Sequence, residues 1–225
     1  MACDLTYMIP IIQMASNPVK LEDQLYLYEP RYSTGYVEKR EAIIEQVVGK
    51  PPYSRCRTQV AVCGDASFRR MTNDARRYAE QKAFAVGDAL ARAGYTVITG
   101  GMGGVMEWVC RGAKAAGGST VGILLGNDKT EANPFVDVPI PTGLGQARNA
   151  LVAQSDALVC IGGGSGTVSE LMHAWSMNRP VIVFRGLGAT GSYADQAVDD
   201  RRSDVVVGAD NEDDVLAALR AAGLY

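Results

Sequence analysis

Ala157-Leu-Val-Cys-Ile-Gly-Gly-Gly-Ser-Gly-Thr-Val-Ser-Glu170 runs an unbroken apolar stretch straight into glycines and then into a helix-compatible segment. Apolar residues at consecutive positions, without alternation, describe a strand buried on both faces, as strands of a parallel sheet are. The same order recurs upstream, where Tyr95-Thr-Val-Ile-Thr99 enters Gly100-Gly-Met-Gly-Gly104 and a helical pattern follows. Strand, glycine turn and helix in alternation are the units of a parallel sheet with crossover helices. The fold class expected is therefore α/β: a doubly wound, mostly parallel, Rossmann-like sheet with helices on both faces.

Outward from these two stretches the pattern continues. Gln59-Val-Ala-Val-Cys63 reads as the first strand, ended by Gly64-Asp65-Ala66-Ser67. Met71 to Ala93 reads as a long helix carrying Tyr78, Ala79, Ala85, Val86, Ala89 and Leu90 on its apolar face, stopped by Gly94. Further helices are expected over Val105 to Ala116, Ala147 to Gln154, Val168 to Met177 and Glu212 to Ala222, and strands over Thr120 to Leu125, Pro180 to Phe184 and Val205 to Val207. Val136 to Ile140 is a short extended piece that Pro139 confines to an edge or bulge.

Residues 58 to 225 make one such domain, and residues 1 to 57 break the pattern. They hold Tyr7, Tyr26, Tyr28, Tyr32, Tyr36 and Tyr53, several prolines, and one helical stretch from Tyr36 to Val48 presenting Ile43, Ile44, Val47 and Val48. Their aromatic and aliphatic content argues for an extension packed on the core or on a neighbouring subunit.

The chain has 225 residues, 47% of them hydrophobic, enough for one sizeable core. A formal net charge of −3 supplies no basic excess to neutralise a nucleic-acid backbone, so no nucleic-acid partner is expected. Leu5 to Ala15 is apolar but short and broken by Pro10, which fits neither a signal peptide nor a membrane span. Cys3, Cys56, Cys63, Cys110 and Cys160 are scattered and odd in number, which points to reduced thiols and a cytoplasmic setting. His173 is the single histidine and is assigned no role, so a histidine-based triad or metal cage is not expected, and no metal or cofactor is required.

Both glycine loops lie between the carboxyl end of a strand and the start of a helix. There the unpaired helix N–H groups and the positive dipole end favour an anion. The expected ligand-binding set is Gly64, Gly100, Gly101, Gly103, Gly104, Val105, Met106, Glu107, Asn149, Gly163, Gly164, Ser165, Gly166 and Thr167. Neither loop is the G-x-G-x-x-G dinucleotide fingerprint, and neither ends in G-K-[ST]. Thr167-Val-Ser-Glu170 also fits a helix capping box, which alone would account for its threonine and glutamate. Arg148, in Gly143-Leu-Gly-Gln-Ala-Arg-Asn149, offers a guanidinium that can clamp phosphate through two parallel hydrogen bonds.

Gly100-Gly-Met-Gly-Gly-Val-Met-Glu107, with Arg111-Gly-Ala-Lys114 behind it, and Gly163-Gly-Ser-Gly-Thr-Val-Ser-Glu170 together resemble the two ordered motifs of the LOG-like (SLOG) superfamily. The resemblance covers roughly Gln59 to Phe184. That superfamily includes the cytokinin phosphoribohydrolases, the molybdenum cofactor carrier proteins, and relatives labelled lysine decarboxylase-like. By position Arg148 and Glu170 match the hydrolases' catalytic arginine and glutamate. Gly162 stands where the hydrolases have proline and Asn149 where they have lysine, which resembles the carrier branch more closely.

The resemblance implies a phosphate-bearing small molecule as partner, a nucleoside monophosphate or a pterin, and a homodimer or homotetramer. Two activities follow as expectations: hydrolysis of the N-glycosidic bond of a nucleoside 5′-monophosphate, or non-catalytic carriage of the molybdenum cofactor.

Overall fold

The computed structural model describes residues 57–69 and 71–224. The N-terminal extension and its helix over Tyr36 to Val48 lie outside the described residues.

From Arg57 onward the chain forms a compact unit built on one seven-stranded sheet. Its strands are β1 Gln59–Gly64, β2 Thr96–Thr99, β3 Thr120–Leu124, β4 Val138–Pro141, β5 Ala157–Ile161, β6 Val181–Phe184 and β7 Val207–Ala209. They lie in the order β4-β3-β2-β1-β5-β6-β7, and every neighbouring pair is parallel. The helices are α1 Asn73–Arg92, α2 Val105–Ala115, α3 Asn149–Ala153, α4 Ser165–Ser176 and α5 Glu212–Ala221.

Pleating divides each strand between two cores. Val60 and Val62 of β1, with Val159 and Ile161 of β5, pack against Ala79, Val86 and Leu90 of α1, Val109 of α2 and Leu219 of α5. The alternate residues Ala61 and Cys63, with Leu158 and Cys160, face Val152 of α3 and Leu171 and Trp175 of α4. A strand buried on both faces can afford no polar position, which is why β5 reads as continuous apolar sequence.

Several boundaries differ from the sequence expectation. The buried face of α1 is Ala79, Ala83, Val86, Gly87 and Leu90, while Tyr78 is 43% exposed. Tyrosine at that position belongs to the solvent side of a helix whose inner face is made of small residues. The expected helix over Ala147 to Gln154 is a 3-10 turn over Gly145–Arg148 followed by the short α3. The last strand lies at Val207–Ala209 instead of Val205 to Val207, because its register is set by pairing Ile182 with Val207 and Phe184 with Ala209. β4 is the edge strand, as its prolines require: a residue without an N–H costs least where no further strand would accept from it.

Candidate functional site

The strand order places the tip of β1 between the tips of β2 and β5. The chain builds the sheet in one direction from β1 to β4, then returns to build it in the other from β5, so connections diverge at the β1/β5 boundary. A crevice outside the carboxyl ends of the strands at such a reversal is where open α/β sheets bind ligands. The two glycine loops form its sides, and Asp65, at the end of β1, stands between them.

Asp65 ties both loops down. Its backbone carbonyl accepts the N–H of Val105 at 2.8 Å, fixing the start of α2. Its carboxylate Oδ2 accepts the N–H of Gly163 at 2.9 Å, fixing the second loop. Sequence reasoning missed this residue, because an aspartate in Gly-Asp-Ala-Ser reads as turn chemistry. It also missed Asn133, buried 32 positions from the loop it supports, whose Nδ2 donates to Gly101 O at 3.1 Å and Met102 O at 2.9 Å.

The two loops use glycine for different reasons. In the first, a methyl group on Gly100 would overlap the Arg148 guanidinium, and one on Gly104 would overlap the Asp65 carbonyl. Thr99 Oγ1 accepts the Gly101 N–H at 3.0 Å, and the Val105 and Met106 side chains are buried. The protein itself fills the space these glycines leave, and the Val105 N–H is already engaged. Glu107, in the first turn of α2, adds a carboxylate to that helix end.

The second loop is open where it matters. Gly163, at φ +94°, carries the turn, and its carbonyl accepts the N–H of Ala189 at 2.9 Å. Gly164, Ser165 and Gly166 beyond it are exposed. A methyl group on Gly164 or Gly166 would meet nothing within 4 Å, and neither residue has positive φ. No packing within the chain accounts for glycine there. The helix that begins at Ser165 has no side-chain cap and no acidic residue in its first turn, so its N-terminal amides and dipole face solvent.

The capping box expected over Thr167 to Glu170 does not form. Because α4 starts at Ser165, Thr167 already lies inside the helix, where its hydroxyl approaches Gly64 O at 3.4 Å. Glu170 turns the other way, into the interior, and accepts from Arg148 Nη1 at 2.8 Å. The two side chains are only 6% and 7% exposed. Burial pushes the Glu170 carboxyl above the usual carboxylate range, an effect that the Arg148 guanidinium and the Cys63 thiol oppose. Arg148 Nε is buried with no hydrogen-bond partner among the described residues. Asn149 is buried beside it, with Nδ2 donating to Gly166 O at 3.3 Å, so it supports the open loop from behind.

Cys63 and Cys160 are direct register partners on β1 and β5, with their sulfurs 3.5 Å apart under Glu170. Burial drives the Cys63 thiol well above its ordinary value and so favours its protonated form. His173 is exposed on α4. Among the described residues no group of three or more His, Cys, Asp or Glu side chains could hold a metal, and no helix is long and apolar enough to cross a membrane.

The model of the SLOG cluster4 family matches residues 57–215. An uncharacterized protein of Archaeoglobus fulgidus is 42% identical over 109 residues, covering 45% of this chain and 72% of its own. The molybdenum cofactor carrier protein of Chlamydomonas reinhardtii superposes with a TM-score of 0.62 at 31% identity, over 74% of this chain and 98% of that one. The molybdenum cofactor binding protein of the phototrophic bacterium Rippkaea orientalis gives a TM-score of 0.61 at 28% identity, over 75% and 99% respectively.

Proposed function

We propose that this chain, which belongs to the SLOG cluster4 family, binds a phosphorylated, nucleotide-like heterocycle with its phosphate on the first turn of α4. One observation carries the proposal: Gly164 and Gly166 face empty space, with no neighbour that a side chain would meet, at the uncapped N-terminus of a helix. Glycine at such positions lets an anion approach the backbone closely.

Carriage without hydrolysis is the favoured activity, and a phosphorylated pterin of the molybdenum cofactor type is the favoured ligand. Support comes from the likeness to the carrier and binding proteins of Chlamydomonas reinhardtii and Rippkaea orientalis. It also comes from the state of the two residues that resemble the hydrolases' catalytic pair. Arg148 and Glu170 are buried against each other, and a carboxylate held this way has no free face for a ribose ring or an attacking water.

Hydrolysis of a nucleoside 5′-monophosphate is the second activity, supported by the presence of both Arg148 and Glu170, in contact at 2.8 Å. Incubation with AMP, GMP and N6-substituted AMP decides between the two. Binding without release of free base supports carriage. Release that disappears in Glu170→Gln establishes hydrolysis.

A further inference from the structure

The two sides of the crevice differ in charge, and that difference constrains the other half of the ligand. On the α4 side the first helical turn holds no acidic residue and its glycines are open. On the α2 side Glu107 occupies the first turn, its Oε2 beside Gly103 of the loop, and puts a negative charge at that dipole end. Among the described residues no cation and no hydrogen-bond donor pairs with Glu107. Between the two sides, Asp65 Oδ2 accepts the Gly163 N–H, and no partner of its Oδ1 is found among the described residues.

The Arg148 guanidinium lies beneath the same gap. It touches Gly100 of the first loop and Glu170 of α4, is more than nine-tenths buried, and keeps an Nε unpaired among the described residues. The crevice thus runs from uncapped helix amides on the α4 side to carboxylate oxygens without a partner among the described residues on the α2 side.

We propose that the crevice takes its ligand in one orientation, phosphate on α4, with Glu107 and Asp65 Oδ1 accepting hydrogen bonds from a pair of donors on the ligand's uncharged half. This deepens the binding proposed above and rests on it. Two chemical groups carry such paired donors: the amino and ring N–H edge shared by guanine and pterins, and the vicinal hydroxyls of a ribose. A second phosphate on the α2 side is disfavoured by like-charge repulsion with Glu107.

Glu107→Gln keeps the shape and removes the charge, so its effect differs between two probes. Calorimetry on the full chain should show GMP binding weakened about tenfold, the loss expected for a charge-assisted hydrogen bond. Inorganic phosphate binding should be unchanged or tightened severalfold. Inosine monophosphate, which lacks the amino group, and 2′,3′-dideoxy-GMP, which lacks the diol, distinguish the donor sources. Whichever group Glu107 reads, its analogue binds the wild type about tenfold more weakly than GMP and is insensitive to Glu107→Gln.

Unchanged or tightened GMP binding in Glu107→Gln, with phosphate binding intact, overturns the orientation and leaves the anion site standing. No binding of phosphate or of GMP to the wild type overturns the anion site and the orientation together. Glu107→Ala is the companion variant, and an unaltered melting temperature in either shows that the fold is intact.

Discussion

Arg148 and Glu170 meet at 2.8 Å in the interior, one from the start of α3 and the other from α4, and so join the two helices beneath the crevice. A fully desolvated pair is neutral to modest in net stabilisation, but removing one member strands the other charge. Arg148→Met should cost about 3–5 kcal/mol in chemical denaturation. Glu170→Gln, which keeps an acceptor for the guanidinium, should cost distinctly less. Equal losses would mean that the charge of Glu170 matters more than its hydrogen bond.

The Glu170 carboxyl gives the fold a pH dependence of defined sign. Its folded value lies above the ordinary glutamate value of about 4.3, so the native state binds the proton more tightly than the unfolded chain. Its contribution is fully present below that value and is lost as pH rises through the raised one. The melting temperature of wild type should therefore fall relative to that of Glu170→Gln as pH increases across this window. Arg148→Met should widen it, since the guanidinium is what opposes burial.

Glycine substitutions separate the two loops. Gly166→Ala lies in a helical turn with open space around it, and should leave stability unchanged or raise it by about 0.4–1 kcal/mol. Phosphate binding should nonetheless fall, because the methyl group occupies the anion's approach. Gly104→Ala meets the Asp65 carbonyl at φ +66° and should lose more than about 1 kcal/mol. Denaturation and calorimetry on the same two variants test both statements.

Asn133→Ala removes both side-chain donors that hold the carbonyls of Gly101 and Met102. With Asn133 itself buried, the loss should be about 1–3 kcal/mol. Amide exchange should accelerate at Gly101 to Gly104 and remain unchanged at Gly163 to Thr167.

The sheet was legible in the sequence because its strands are buried on both faces and therefore apolar without interruption, as Ala157 to Ile161 shows. The glycine loops were legible for the same reason: each follows such a run directly. Glu170 and Thr167 were harder, since a capping box and an inward-facing pair use the same residue types. What decides between them is where the helix begins, and Gly164-Ser165-Gly166 has too little helix propensity to reveal it. Asp65 and Asn133 act on loops 98 and about 30 positions away, a distance at which no local pattern registers.

The most direct measurement is a titration of the isotopically labelled chain with inorganic phosphate, followed amide by amide by NMR. Saturable shifts concentrated at Gly164, Ser165, Gly166 and Thr167, with Gly101 and Val105 unmoved, are the predicted result. Shifts centred on Gly101 to Glu107, or none at millimolar phosphate, would contradict an anion site at the start of α4.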